Sequence, residues 1–159
     1  MSAPDPRRRR ADAGLDESRD YLGEALARFV PQALARRALS VDVTTDRERY
    51  RRGTPVELRI EFENRLPVPV NVRTPRPPLW EWQVDGNPAA SDERRYLPDH
   101  PGQFEFAGGE RKVVDLTWDG QVQTDGTWSP AAPGRHEITV FVATEAERPR
   151  ATTRIEVVE

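Results

Sequence analysis

The 159-residue sequence contains no cysteine, one methionine, two histidines and a single lysine, Lys112. Without cysteine there is no disulfide, no thiolate nucleophile and no Cys-ligated metal. His100 and His136 are far apart and form no His-x-x-x-His pair, so an imidazole-based zinc site has no framework. Gly108-Gly109 is not followed by the Lys and Ser/Thr of a phosphate loop, and no Gly-x-Ser-x-Gly occurs. Asp115, Asp119 and Asp125 lack the dense oxygen-ligand spacing of a calcium loop and read as turn residues. No apolar run is long enough to span a membrane. The run Arg7–Arg10 leads into polar Ala11-Asp12-Ala13-Gly14, not into the apolar core of a secretory signal. Nor does a net charge of −3 match the basic excess of a nucleic-acid binder. Carboxylates are plentiful, but no pair stands out as an acid/base couple. The expectation is therefore a non-enzyme with no metal, cofactor, membrane or nucleic-acid partner, located in the cytoplasm.

What is present is alternation. From Val56 to Asn64 every even position up to Phe62 is large and apolar, and every odd one is charged. A period of two belongs to a strand with one face in a core, whereas a helix would scatter these residues around its circumference. The same alternation recurs in Leu39-Val41-Val43, Val68-Val70-Val72, Trp80-Trp82-Val84, Phe104-Phe106 and Val114-Leu116-Trp118. It returns in His136-Ile138-Val140-Val142 and Thr153-Ile155-Val157. His136 then falls on an inward face, as a buried, hydrogen-bonded side chain. Pro67 and Pro69, two residues apart, remove N–H groups from one side of their strand and mark it as an edge. Two Trp on one strand face, Trp80 and Trp82, are read as core rather than as a stacking platform for a sugar or base. Asp46–Arg52 and Gln121–Gly134 read as turn or loop, and residues 86–102 form the longest stretch without strand pattern, of the kind that carries function.

Ahead of the strands the period changes. Leu15, Leu22, Leu26, Phe29, Val30 and Leu34 recur at helical spacing, with acidic residues early and Arg36-Arg37 late, in keeping with the helix dipole. The chain thus divides into a disordered basic tail (1–14), an amphipathic helix (15–37) kinked or split near Pro31, and a β-sandwich domain (38–159). The helix is expected to pack on its own sheet, in preference to a partner or a membrane surface. Strands with no helix between them bury one face each most simply as two antiparallel layers. The fold class is all-β: an immunoglobulin-like antiparallel β-sandwich of about seven to eight strands, with an N-terminal amphipathic helix.

One set of motifs carries a resemblance. Val56-Glu57-Leu58-Arg59-Ile60-Glu61-Phe62-Glu63-Asn64 is followed by Pro67-Val68-Pro69-Val70, and Phe104-Glu105-Phe106 precedes Gly109-Glu110. Leu116-Thr117-Trp118-Asp119-Gly120 and Pro133-Gly134-Arg135-His136-Glu137-Ile138-Thr139-Val140 complete the set. Over residues 39–144 the chain resembles the BsuPI-type intracellular proteinase inhibitors, which are small immunoglobulin-like sandwiches. The resemblance implies a protein partner, such as a serine protease whose cleft takes up an extended loop segment. Arg94, Arg95 and Tyr96, in the long loop, are the candidate partner-contact residues. The functional expectation is a non-catalytic protein-interaction module, with serine-proteinase inhibition as the alternative.

Overall fold

The structure, a computed structural model, describes residues 30–75, 78–87, 102–145 and 149–159. The expected tail at 1–14, residues 15–29 of the expected helix, and Arg94, Arg95 and Tyr96 lie outside the described residues. In chain order the elements are α1 (Gln32–Ala38), β1 (Leu39–Thr45), β2 (Arg49–Arg51), β3 (Val56–Asn64), β4 (Val70–Arg73) and β5 (Trp80–Val84). They continue with β6 (Gln103–Phe106), β7 (Arg111–Trp118), β8 (Gln121–Thr124), β9 (Thr127–Pro130), β10 (Gly134–Val142) and β11 (Arg150–Val158).

Two sheets make the sandwich. One runs β1-β3-β7, with β3 at its centre, and the other runs β2-β11-β10-β5. Six of their seven strands lie where alternation places them; the seventh, β2, does not, and the expected strands at β4 and β6 pair with each other outside both sheets. The pairs β4-β6 and β8-β9 are additions outside both sheets. The order is immunoglobulin-like: the first stretch of chain pairs antiparallel with β3 in one layer, then crosses to lie along the last strand in the other. That second pairing, β2 with β11, is parallel, which corrects the all-antiparallel expectation and the reading of 46–52 as only a turn. The chain crosses from one layer to the other without reversing, and β11 runs in the same direction, so the two meet parallel.

Alternation explains the core. Val56, Leu58, Ile60 and Phe62 are each at most 2% exposed, and Trp80, Trp82, Ile138, Val140, Ile155 and Val157 meet them from the other layer. Phe62 stacks at 5.6 Å from Trp80 and edge-on at 5.2 Å from Phe104. Burial of such side chains contributes roughly 1.5–3 kcal/mol each. The opposite face of β3 is charged and solvated, with exposed pairs such as Arg59–Asp115 at 3.3 Å, worth little individually. Asp115 is therefore a strand residue paired across to Arg59, not a turn residue.

Asn64 continues the inward face of β3 and is fully buried. Its amide donates to Val68 O (2.8 Å) and Ala107 O (2.9 Å), and its Oδ1 accepts the N–H of Leu66 (3.0 Å). One side chain thus joins the bend after β3 to the bend after β6. The two approach so closely that a Cβ at Gly108 would lie 2.4 Å from Pro67 O. Glu110 closes the same bend by accepting the Ala107 N–H (2.7 Å) and pairing with Lys112 (3.0 Å). Burial works against its carboxylate, but the Ala107 N–H and Lys112 outweigh it and hold the carboxyl below its ordinary value of 4.5. Because Pro67, Val68 and Pro69 serve this bend, the expected strand 67–72 shrinks to Val70–Arg73.

α1 starts after Pro31 and packs on its own chain, burying Ala35 and Ala38. Gln32 does more than pack. Its amide donates to Asn71 O (2.8 Å) and accepts from Arg73 N–H (2.9 Å), taking the place of a neighbouring strand on the free edge of β4. At the β1–β2 crossover the buried Tyr50 hydroxyl donates to Asp46 Oδ1 (2.6 Å) and accepts from Arg47 N–H (2.9 Å). The Tyr50 hydrogen bond, chief among several causes, holds the Asp46 carboxyl below its ordinary 3.8. Burial first, and then this hydrogen bond, raises the Tyr50 hydroxyl above 10.0.

Two predictions follow from these contacts. Asn64→Ala strands two buried carbonyls and an N–H and should cost ~3 kcal/mol in urea unfolding, each unsatisfied group costing about 1–3 kcal/mol. Asn64→Asp should cost more, because an oxygen replaces the amide that faces Val68 O and Ala107 O. Titration gives the second. The lowered Asp46 and Glu110 contribute stability present above their ordinary values and lost as pH falls below about 4. The raised Tyr50 contributes stability that is complete below pH 10.0 and lost as pH rises beyond it. Unfolding free energy measured against pH should show both limbs, and Tyr50→Phe should remove the alkaline one and shrink the acid one.

Candidate contact surface

At one end of the sandwich two Asp-Gly turns lie side by side. Asp85-Gly86 reverses the chain after β5, with φ of 51° and 76°, and Asp125-Gly126 joins β8 to β9, with φ of 51° and 79°. Positive φ at both central residues is the type I′ geometry whose twist suits a two-residue hairpin. Val84 and Asn87 accordingly pair across the first turn, and Thr124 and Thr127 across the second.

The β8–β9 hairpin belongs to neither sheet, yet it is braced at three points. Trp118 Nε1 donates to Gln121 O (2.9 Å) at its start. Asn87 Nδ2 donates to Gln123 O (2.9 Å) midway, tying one Asp-Gly turn to the other. The Ala131 N–H donates to Gly120 O (2.9 Å), which extends the hairpin's own ladder by one rung. One residue on, His136 Nε2 is 2.6 Å from Ala132 O, the third brace. The other ring nitrogen, Nδ1, is 2.6 Å from Asp85 Oδ2, while Asp85 Oδ1 accepts the Glu137 N–H at 2.8 Å. His136 is thus the hydrogen-bonded inward residue that the alternation predicts, its side chain 12% exposed. Both of its ring nitrogens are engaged, so it has none to offer a metal or a substrate.

What this scaffold presents is Trp128. Of the four Trp, Trp80, Trp82 and Trp118 are at most 5% exposed, whereas Trp128, opposite Gln123 on the hairpin, is 42% exposed. Trp128 was not singled out by the sequence, where 121–134 reads as a loop. The signal was there in Asp125-Gly126 flanked by Val122 and Trp128, a hairpin signature. Of the expected contact residues, Arg94, Arg95 and Tyr96 fall in the undescribed segment that begins directly after Asn87. Among the described residues no three His, Asp or Glu side chains converge to hold a metal, and no helix is long and apolar enough to cross a membrane.

Several solved structures are similar to this chain over about three quarters of its length. The CARDB domain of PF1109 from Pyrococcus furiosus is 14% identical, with a TM-score of 0.45 over 76% of this chain and 94% of that one. The sporulation control protein Spo0M from Bacillus subtilis is 17% identical, with a TM-score of 0.49 over 77% of this chain and 50% of that one. The alkylpurine DNA glycosylase AlkC from Pseudomonas fluorescens is 17% identical, with a TM-score of 0.47 over 77% and 31%. No curated protein matches the sequence. The family model described as a family of unknown function (DUF7974) matches residues 27–158, which takes in α1 and both sheets. The chain belongs to that family.

Proposed function

We propose that this chain is a non-catalytic protein-interaction module whose contact surface is centred on Trp128. A single exposed aromatic is ordinary on a protein surface. The observation that carries the reading is the bracing: an otherwise independent hairpin is fixed to Trp118, Asn87 and His136, so the indole is held out on a rigid support. Preorganisation lowers the entropy cost of association, and Trp is among the residues most often dominant in an interface. Asp85 and His136 at this end are spent on each other and on main-chain groups, which leaves those two to structure rather than chemistry.

Inhibition of a serine proteinase is the narrower, second reading. It is favoured by the way the motifs shared with the BsuPI-type inhibitors meet in space, since Asn64, Val68, Ala107 and Glu110 all belong to one hydrogen-bonded junction. The segment carrying Arg94 and Arg95 would be the one inserted into a protease cleft.

Two measurements test the module. Acrylamide should quench one of the four Trp readily, and Trp128→Phe should abolish that quenchable component while leaving the unfolding midpoint within error. With a photo-crosslinker placed at Gln123, a single protein should be trapped in extracts of the source cell. Trp128→Ala should weaken its affinity at least tenfold, and Val113→Ala on the far sheet should leave it unchanged. Equal affinities for the two variants would sink the hairpin as the contact. For the inhibitor reading, titration against subtilisin-like and trypsin-like proteases should give stoichiometric inhibition. Cleavage between residues 86 and 102 without inhibition would refute it.

A further inference from the structure

The sheet β2-β11-β10-β5 has an unfinished side. β11 runs from Arg150 to Val158 and pairs with β10 along nearly all of it, but β2 covers its other side only at Glu156, Val157 and Val158. From Arg150 to Ile155 no described strand lies in the sheet beyond β11. The phase of the ladder shows which main-chain groups this leaves facing outward. Val142 N–H donates to Pro149 O (2.9 Å), so alternate residues from Pro149 face β10. Glu156 N–H donates to Glu48 O (2.8 Å), on the β2 side. Thr152 and Arg154 share the phase of Glu156, so their N–H and C=O groups point out of the sheet's open side.

Space and charge adjoin that side. A cleft of about 530 Å3 runs between the end of β1 and β11, with Thr44, Thr45, Thr153 and Ile155 among its walls. Its rim is basic. Arg49, Arg135 and Arg154 line it together with Glu48 and Glu156, and exposed Arg150 stands at the start of β11. Arg49 pairs with Glu156 (2.6 Å) and Arg154 with Glu137 (3.3 Å), which leaves Arg135 and Arg150 over Glu48.

We propose that an extended acidic peptide segment of a partner adds as a strand along β11 from Arg150 to Ile155, in line with β2. Its main chain pairs with Thr152 and Arg154, alternate acidic side chains meet Arg135, Arg150 and Arg154, and the intervening small side chains enter the cleft. Six residues of strand give about 20 Å of edge, and main-chain pairing supplies affinity while alternate side chains supply selection. This surface is separate from the Trp128 hairpin, and the proposal stands without it. Charges on an exposed edge also guard against aggregation, which is the function left to the arginines if no peptide binds.

The test uses the full chain, isotope-labelled, titrated with acetyl-(Glu-Thr)4-amide. Saturable shifts and slowed exchange are expected at the amides of Thr152 and Arg154. A version N-methylated at alternate residues keeps the charge but loses its donors, and should bind at least tenfold more weakly. Acetyl-(Lys-Thr)4-amide should not bind. Thr152→Pro removes one outward donor while leaving every arginine in place, and should also weaken binding at least tenfold. Should that variant fail to fold, the N-methylated peptide makes the same distinction on the natural chain. No binding, equal binding of the N-methylated peptide, or shifts centred elsewhere would overturn the proposal. Shifts of the same amides on raising the protein concentration alone would assign the edge to a second copy, and would overturn it too.

Discussion

The rest of the sandwich depends on one buried amide. Asn64 ends the central strand β3 inside the core, where a polar group is tolerated only if its hydrogen-bonding capacity is met. It is met by main-chain groups from two bends, at Leu66 and Val68 and at Ala107. Because each bend is held by the same side chain, β4 and β6 are brought together as a pair although neither joins a main sheet. Gly108 is a corollary: the bends can be this close only where no Cβ intervenes. Phe104 and Phe106, 4.6 Å apart on β6, then deliver aromatic surface to the core beside Phe62.

At the other end of β3 the layers are joined by chain rather than by a side chain. β1 leaves one sheet at Thr45 and β2 enters the other at Arg49. The short crossover is held by Tyr50 and Asp46. A sandwich held only by apolar contact between layers would be free to slide. Here the Tyr50–Asp46 pair fixes the crossover between the layers, while Asn64 at the far end of β3 fixes the β4–β6 pair to the first layer. The added pieces use the same economy: Gln32 closes the edge of β4 with one amide, and Asn87 latches the β8–β9 hairpin with another.

The parts legible in the sequence were those set by local periodicity. Val56–Asn64 could be bounded at both ends, and Trp80 and Trp82 could be placed in the core, because their alternation is uninterrupted and bounded by turn residues. What was not legible depends on contacts distant in sequence. Three residues, Arg49–Arg51, are too few to show a period, and they form a strand only because Glu156–Val158 lies alongside. Val68 has the right pattern for a strand, but its carbonyl is claimed by Asn64 four residues earlier. Asn64 reads as a strand end and gives no sign of its partners. Trp128 was hidden differently: apolar alternation points to burial, and no pattern marks an aromatic residue that remains outside. The three residues chosen for the long loop rested on its length and charge alone.

The hairpin's attachment bears on how such a surface changes over time. Its three tethers all end on main-chain oxygens: Gln121, Gln123 and Ala132. Those oxygens are present whatever side chains stand at these positions. Residues at the tip, Trp128 included, are therefore free to be exchanged without loosening the support, and the core packs without them. The surface at the tip can change in this chain while stability is maintained elsewhere.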